Sequence, residues 1–406
     1  MAEVWRGEHV RQAVPVAVKV MSARATRDPQ ARAAFRQEVQ AVAGLDHPGI
    51  VLVFDHGETG REAEEASNGF VPAGRPYLAM ELADRGTLRE VRAGVTWPRV
   101  RAVLLDLLEA LGHAHARGVV HRDLKPSNVL ACGGDEFPAR FKLADFGLAY
   151  AVGRGARDEA GAVSGTPAYM APEQILGQWR DDGPWTDLYA LGCMAYEMLS
   201  GHGVFAETTL TALADAHLYR EPAPLAALVP VPAGLEGWLR RLLRKDPRER
   251  FQRAADAAHA LRALPSVDPE SQVAIALDER PTLLDLQPRA APAGRAREGL
   301  DTAAAREPLC ARELPPFPAA GSRPMEPAAS PALLGVGLGL YGLRPIPFVG
   351  REREREVLWQ ALADVVRRRR PRLVVLQGGA GSGKTRLAEW LAERAHEVGH
   401  AHVMDA

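Results

Sequence analysis

The stretch His121-Arg122-Asp123-Leu124-Lys125-Pro126-Ser127-Asn128 sets an acid, two bases and an amide into one short loop. It follows an apolar, helix-like segment at residues 103–115 and a Val119-Val120 pair that reads as a strand. Charges packed this densely beside hydrophobic segments persist only where they are paired or used. Farther on, Asp145-Phe146-Gly147 closes a strand pattern at residues 141–144. A second acid is thereby placed at a strand end, twenty-two residues after Asp123.

Toward the N-terminus, residues 4–7 and 14–21 read as two strands of a hairpin. Lys19 is the one charge inside the second apolar run, on the same face as Ala17 and Met21. Asp28-Pro29 then has the form of a helix start, N-cap followed by first helical position, and Gly44 closes that helix. Phe35, Val39 and Val42 mark its buried stripe, and Glu38 lies beside them. A carboxylate turned inward wants a cation, and Lys19 is the candidate. Two further strands are expected at residues 50–55 and 77–82, on either side of a polar insert.

The loop fits H-R-D-L-x-x-x-N at every specified position. With Val16-Ala17-Val18-Lys19 and Asp145-Phe146-Gly147 it resembles the eukaryotic-type protein kinases, in the style of the bacterial Hanks-type serine/threonine branch. The resemblance implies an α+β, two-lobed fold: a small β-rich lobe over residues 1–82 and a mainly helical lobe over 83–263. It implies ATP and Mg2+ as cofactors. Lys19 would hold the α- and β-phosphates, oriented by Glu38. Met80 would be the gatekeeper, the backbone from Glu81 to Ala83 the hinge that meets adenine, and Val4, Ala17 and Leu130 further parts of the nucleotide site. Asp123 would accept or orient the proton of a substrate hydroxyl, Lys125 would neutralise the transferring phosphoryl group, and Asn128 and Asp145 would bind magnesium. Phosphoryl transfer needs mainly positioning and charge neutralisation, so one loop can carry these roles together.

Residues 165–173 resemble the end of an activation segment, with Glu173 expected to pair with Arg250. Asp187 is expected to start a helix at residues 188–199, apolar nearly all round, that braces the loop from beneath. Lys125 two residues after Asp123, and Thr166 before Tyr169, resemble serine/threonine rather than tyrosine kinases, which implies Ser/Thr-bearing protein substrates. Arg122 beside Asp123 calls for an anion, which suggests activation-segment phosphorylation, with autophosphorylation at Ser164; the alternative is a kinase that needs no such switch. Of the family's phosphate-covering loop, G-x-G-x-x-G-x-V, only the end is met. Val4 fits the valine, which puts the third glycine at Ala2 and the first two before Met1. The expectation is a gene start placed at an internal methionine; an in-frame stop codon just upstream would exclude it. The alternative reading is an impaired kinase that serves as a nucleotide-binding signalling scaffold.

A second nucleotide motif lies near the C-terminus. Residues 373–377 read as a short buried strand, and Gly378-Gly379-Ala380-Gly381-Ser382-Gly383-Lys384-Thr385 fits G-x-x-x-x-G-K-[ST], with a helix expected at 386–397. In such a loop the backbone around Gly378, Gly381 and Gly383 cradles phosphates, Lys384 reaches the terminal ones and Thr385 ligates Mg2+. Phe348-Val349-Gly350-Arg351-Glu352 resembles the entry of AAA-like signalling ATPases of the STAND type, so residues 346–406 are expected to be the first part of an α/β P-loop domain. No Walker B acid follows, and hydrolysis by this portion alone is not expected. His396-Glu397-Val398-Gly399-His400 spells the zinc-protease pattern H-E-x-x-H, but Gly399 is expected to end the helix before the second histidine. The arginine run at 367–370 reads as a solvated helix end.

Between the two domains, residues 264–345 are rich in Pro, Ala, Arg and Glu, with Pro315-Pro316-Phe317-Pro318, and read as an extended linker. A net charge of −1 gives no case for nonspecific nucleic-acid or anionic-membrane binding. Cys132, Cys193 and Cys310 lie far apart with no C-x-x-C pair, which argues for a reducing compartment. The apolar run at 332–343 is too short and glycine-rich to span a bilayer, and no signal pattern opens the chain. A cytoplasmic protein is expected.

Overall fold

The computed structural model describes residues 2–9, 13–90, 96–132, 140–146, 167–267, 340, 348 and 350–401. The chain divides into two compact units, residues 1–280 with 328–345, and residues 281–327 with 346–406.

The first unit opens with a four-stranded antiparallel sheet of order β1-β2-β4-β3: β1 (Ala2–His9), β2 (Val14–Met21), β3 (Val53–Glu58) and β4 (Pro76–Glu81). The Val-rich β2 takes a central place, where β-branched residues pack well. A short α1 (Ala23–Thr26) leads into α2 (Pro29–Ala43), which buries Phe35, Val39 and Val42 as the spacing predicts. The polar insert carries α3 (Arg61–Ala66). One strand departs from expectation. The apolar pattern begins at Ile50, yet β3 begins at Val53. Ile50 instead forms an isolated parallel bridge with Leu143, and the Val51 N–H donates to the Leu143 carbonyl at 2.9 Å. A run of apolar residues records burial, not which neighbour supplies the hydrogen bonds.

The helical part is built on α4 (Trp97–Ala116), where Leu104, Leu107, Leu108 and Leu111 are sealed from solvent at helical spacing. Val119 and Val120 do not form the expected strand; the segment after α4 is irregular and Val119 packs partly buried against the core. β5 (Val129–Cys132) and β6 (Arg140–Leu143) form a separate hairpin in which Val129 faces Leu143. Then follow α5 (Pro172–Ile175), α6 (Pro184–Ser200), α7 (Leu210–Tyr219), α8 (Leu235–Leu242) and α9 (Ala254–Arg262). Helix α6 is buried nearly all round, with Leu188, Leu191, Met194, Ala195 and Leu199 fully enclosed. It starts at Pro184, earlier than Asp187, because proline suits a first helical position whose N–H has no partner anyway. Of the segment read as linker, residues 268–339 and 341–345 lie outside the described residues, Cys310 among them. Leu340 is buried within the main core.

In the second unit, α10 (Glu352–Arg368) and α11 (Lys384–Glu397) pack through Trp359 and Trp390, whose rings lie 6.3 Å apart. The strand expected at 373–377 is not formed: Leu373 is 90% exposed and Val375 65%. No described residue hydrogen-bonds alongside this run as a strand, and without ladder neighbours an apolar run has neither pairing nor cover. Helix α11 begins at Lys384, a little before the expected start. It ends at Glu397, and Gly399 is left-handed (φ 76°), so His400 lies beyond the helix that carries His396. Among the described residues no group of three His, Cys, Asp or Glu side chains could hold a metal ion, and no helix is long and apolar enough to cross a membrane.

Candidate active site

The loop at 121–128 rests on one buried carboxylate. Asp187, in the first turn of α6, accepts the His121 N–H at 2.8 Å and the His115 Nε2–H at 2.8 Å on Oδ2, and the Arg122 N–H at 2.7 Å on Oδ1. Burial alone pushes this carboxyl up. The hydrogen bond and charge of His115, joined by His121, outweigh it and hold Asp187 below its ordinary range. His121 is fully buried and bridges to the second acid. Its Nε2 donates to the Ala144 carbonyl at 2.9 Å, and its Nδ1 accepts the Asp123 N–H at 3.3 Å. Carbonyls only accept and amides only donate, so the ring is the neutral Nε2–H tautomer. Desolvation, which lowers its pKa, acts in the same direction. The same ring lies 4.5 Å from Phe146.

Within the loop, Asp123 is held at both ends. Asn128 Nδ2 donates to its carbonyl (2.8 Å) and to Oδ2 (3.0 Å), and Lys125 Nζ donates to Oδ1 (3.1 Å) and Oδ2 (2.8 Å). Asn128 itself is buried, and its carbonyl accepts the Ala144 N–H at 2.9 Å. Asn128 is thereby set next to Asp145, which takes φ +60°, a left-handed backbone that turns its side chain out of the strand direction. The Asn128 amide oxygen and the Asp145 carboxylate are hard donors of the kind that suits Mg2+.

Asp145 Oδ1 accepts Lys19 Nζ at 2.8 Å, with the lysine 4% exposed and the aspartate 37%. Lys19 reaches there from β2, opposite Val4 on β1. Val4 is 63% exposed. Glu38 lies on α2, and its side chain is outside the described residues. Ala17, Met80, Val51 and Ala144 form an apolar cluster, with Leu82 and Leu130 packed against it, so three of the residues expected to meet nucleotide come together. After β4 the chain leaves through Glu81 and Ala83, both half-buried. The Glu81 side chain takes Lys142 Nζ at 2.6 and 2.7 Å, a pair that sequence reading missed. Strand alternation at β6 was its available signal, since a lone lysine between Phe141 and Leu143 must face an anion or water.

The expected structural pair is present and fully buried. Arg250 donates from Nη1 and Nη2 to the two oxygens of Glu173, each at 2.8 Å, and Thr186 adds a third bond to Glu173. Ser164, Gly165, Thr166 and Gly147 fall outside the described residues. Arg122, read as needing an anion, has one: its Nε donates to Asp182 Oδ2 at 3.2 Å. In the second unit, Gly381 and Gly383 are left-handed (φ 74° and 83°), and Lys384 Nζ folds back on the Gly378 and Gly379 carbonyls at 2.9 and 2.8 Å. Thr385 is exposed, and Arg351 donates to the Ser382 carbonyl at 2.8 Å.

The protein kinase domain family matches residues 1–262, and the AAA ATPase domain family matches residues 347–405. The serine/threonine-protein kinase PknJ of Mycobacterium tuberculosis is 37% identical over 255 residues, 61% of this chain and 40% of that protein. PknB of the same organism is 35% identical over 292 residues, 70% of this chain and 44% of that protein. Pkn1 of Myxococcus xanthus is 39% identical over 264 residues, 64% of this chain and 36% of that protein. The chain thus spans less than half the length of these curated relatives. The crystal structure of the PknI kinase domain of M. tuberculosis aligns with 64% of this chain and 90% of that one, at 28% identity and a TM-score of 0.46. With the match covering residues 1–262 and the loop built as described, the chain belongs to the protein kinase family.

Proposed function

We propose that this chain transfers the γ-phosphoryl group of ATP to Ser or Thr hydroxyls of proteins, as a bacterial signalling kinase coupled to a regulatory P-loop module. The observation that carries this reading is the clamp on Asp123, whose carboxylate is fixed by Asn128 and Lys125, together with the Lys19–Asp145 pair. The bond from the γ-phosphorus to the bridging oxygen breaks, a bond to the substrate hydroxyl oxygen forms, and the hydroxyl proton passes to Asp123. Lys125 offsets charge on the transferring group. Lys19, oriented by Glu38, holds the α- and β-phosphates. Ala17, Met80 and Leu130, with Val4, enclose the adenine end beside the hinge at Glu81 to Ala83. Asn128 and Asp145 would hold Mg2+, whose charge would offset that of the phosphates.

The domain reading is a kinase domain at 1–263, a linker at 264–345 and the first part of an ATPase domain at 346–406. In that last part Gly378, Gly381, Gly383, Lys384 and Thr385 bind nucleotide and its metal. The wide spacing of the cysteines supports a cytoplasmic setting, and Ser164 is the proposed autophosphorylation site. Asp123→Asn keeps the shape of the clamp and removes the proton acceptor. Transfer of labelled phosphate to a generic protein substrate should fall by about 10²–10⁴-fold. Transfer at the wild-type rate would refute the assignment.

A further inference from the structure

Among the described residues, Arg122 is gripped from three directions by residues downstream of the activation segment. It is left-handed at φ +64°, a costly conformation for a residue with a Cβ. Its N–H donates to Asp187, its carbonyl accepts Gln174 Nε2 at 2.8 Å, and its side chain donates to Asp182. Gln174 and Asp187 hold backbone atoms and are uncharged or shared with other donors. Among the described residues Asp182 meets the guanidinium with a carboxylate, and it is an odd place for one. Its side chain is fully excluded from solvent, and Oδ1 is buried with no hydrogen-bond partner. The charged groups facing it are Arg122 from the loop, Glu173 from α5 and Asp187 from α6; the two acids are in turn paired with Arg250 and His115. A buried, half-satisfied carboxylate beside two others is expensive to keep charged, and a fold selected for stability alone has no use for it.

We propose that Asp182 is a positioning residue of the phosphoryl-transfer site: its carboxylate supplies the anion that Arg122 requires and so fixes the backbone entering Asp123 without a phosphate on the activation segment. This rests on the reading of Asp123 as the proton acceptor. Arg122 and Asp123 are adjacent, so loosening the guanidinium removes one of the three holds on the residue that leads into the acid. The energetics carry a signature that a merely structural residue lacks. Burial, opposed by Arg122, pushes the Asp182 carboxyl up to about 6, so the folded chain holds its proton more tightly than the unfolded chain does. The raised value means that stability falls as pH rises from the ordinary carboxylate range through about 6 and stays reduced above it. An uncharged isostere at this position removes that cost at neutral pH while weakening the hold on Arg122.

The test uses the full 406-residue chain, treated with a broad protein phosphatase and assayed for transfer to a generic Ser/Thr protein substrate, as wild type and as Asp182→Asn. Wild type should keep its rate after phosphatase treatment. Asp182→Asn should lose about tenfold or more in kcat at pH 7.5, with KM for ATP changed less than about twofold, while its melting temperature holds or rises. Wild-type transfer should also decline as pH falls through about 6, on an acid limb that the variant lacks. The proposal is overturned if Asp182→Asn matches wild type in kcat, if it melts lower in proportion to its lost activity, or if phosphatase alone abolishes wild-type transfer. The last of these needs no variant. A wild-type chain that transfers nothing in any state, phosphatase-treated or not, fails the functional reading itself; activity that is lost with Asp123→Asn but untouched by Asp182→Asn fails only this inference.

Discussion

The loop at 121–128 has its backbone held from a distance: Asp187, more than sixty residues on, accepts the His121 and Arg122 N–H groups, and the His121 ring ties the loop to Ala144. In the loop at 378–385 the contacts are mostly local, Lys384 onto Gly378 and Gly379, with one exposed bond from Arg351 to the Ser382 carbonyl, and the apolar run ahead of it stands exposed. Both loops match their motifs in full. The difference lies in what each is built upon. A catalytic acid must be aimed to within a fraction of an ångström, which takes buried partners on rigid elements. A phosphate cradle is made of backbone N–H groups and a helix N-terminus, which a short segment can carry by itself.

Substitutions can break this comparison, beginning with the most damaging. Asp187→Ala leaves the His121 and Arg122 N–H groups and His115 Nε2–H without an acceptor, each costing about 1–3 kcal/mol if it stays unsatisfied. Denaturant unfolding should show a loss of several kcal/mol together with loss of transfer. Because the folded Asp187 carboxyl lies below its ordinary value, its contribution is present above the unfolded pKa and lost as pH falls through the folded one. The difference in stability between wild type and Asp187→Ala should therefore narrow in acid. Next, Glu173→Ala strands Arg250 in the core and should cost about 3–5 kcal/mol by the same measurement, since the pair is bidentate and buried.

The second loop should respond far less. Gly381→Ala forces a Cβ into a left-handed backbone at φ 74°, costing about 1–2 kcal/mol locally, and calorimetry should show no change in the melting of the kinase unit. Lys384→Ala removes bonds only to exposed carbonyls and should alter stability by about 0.5 kcal/mol or less, with its effect confined to nucleotide binding. A large stability loss from Lys384→Ala would show the second loop to be as structurally committed as the first.

Much of the catalytic site was legible because its residues are constrained in type and in order. An acid, a lysine and an asparagine within a few positions leave little freedom for what the loop can do, and Asp145 at a strand end has few bland explanations. What could not be read was pairing across long separations. Ile50 could be recognised as buried but not as a partner of Leu143. Lys142 could be seen as a lone charge but not as the partner of Glu81. The run at 373–377 is apolar enough for a buried strand, yet burial needs neighbours, and none of the described residues supplies them.

The sequence by itself determined the kinase family signature, the order of lobes and the residue types of the candidate site, because local spacing and residue type record those directly. Only the tertiary structure decided which anion Arg122 holds, that His121 is neutral and joins loop to strand, and where helix α6 begins relative to Asp187. Those facts depend on which side chains meet after the chain has closed over distances of twenty to seventy residues. Composition and periodicity carry no record of such meetings; hydrogen-bond satisfaction in a closed core does.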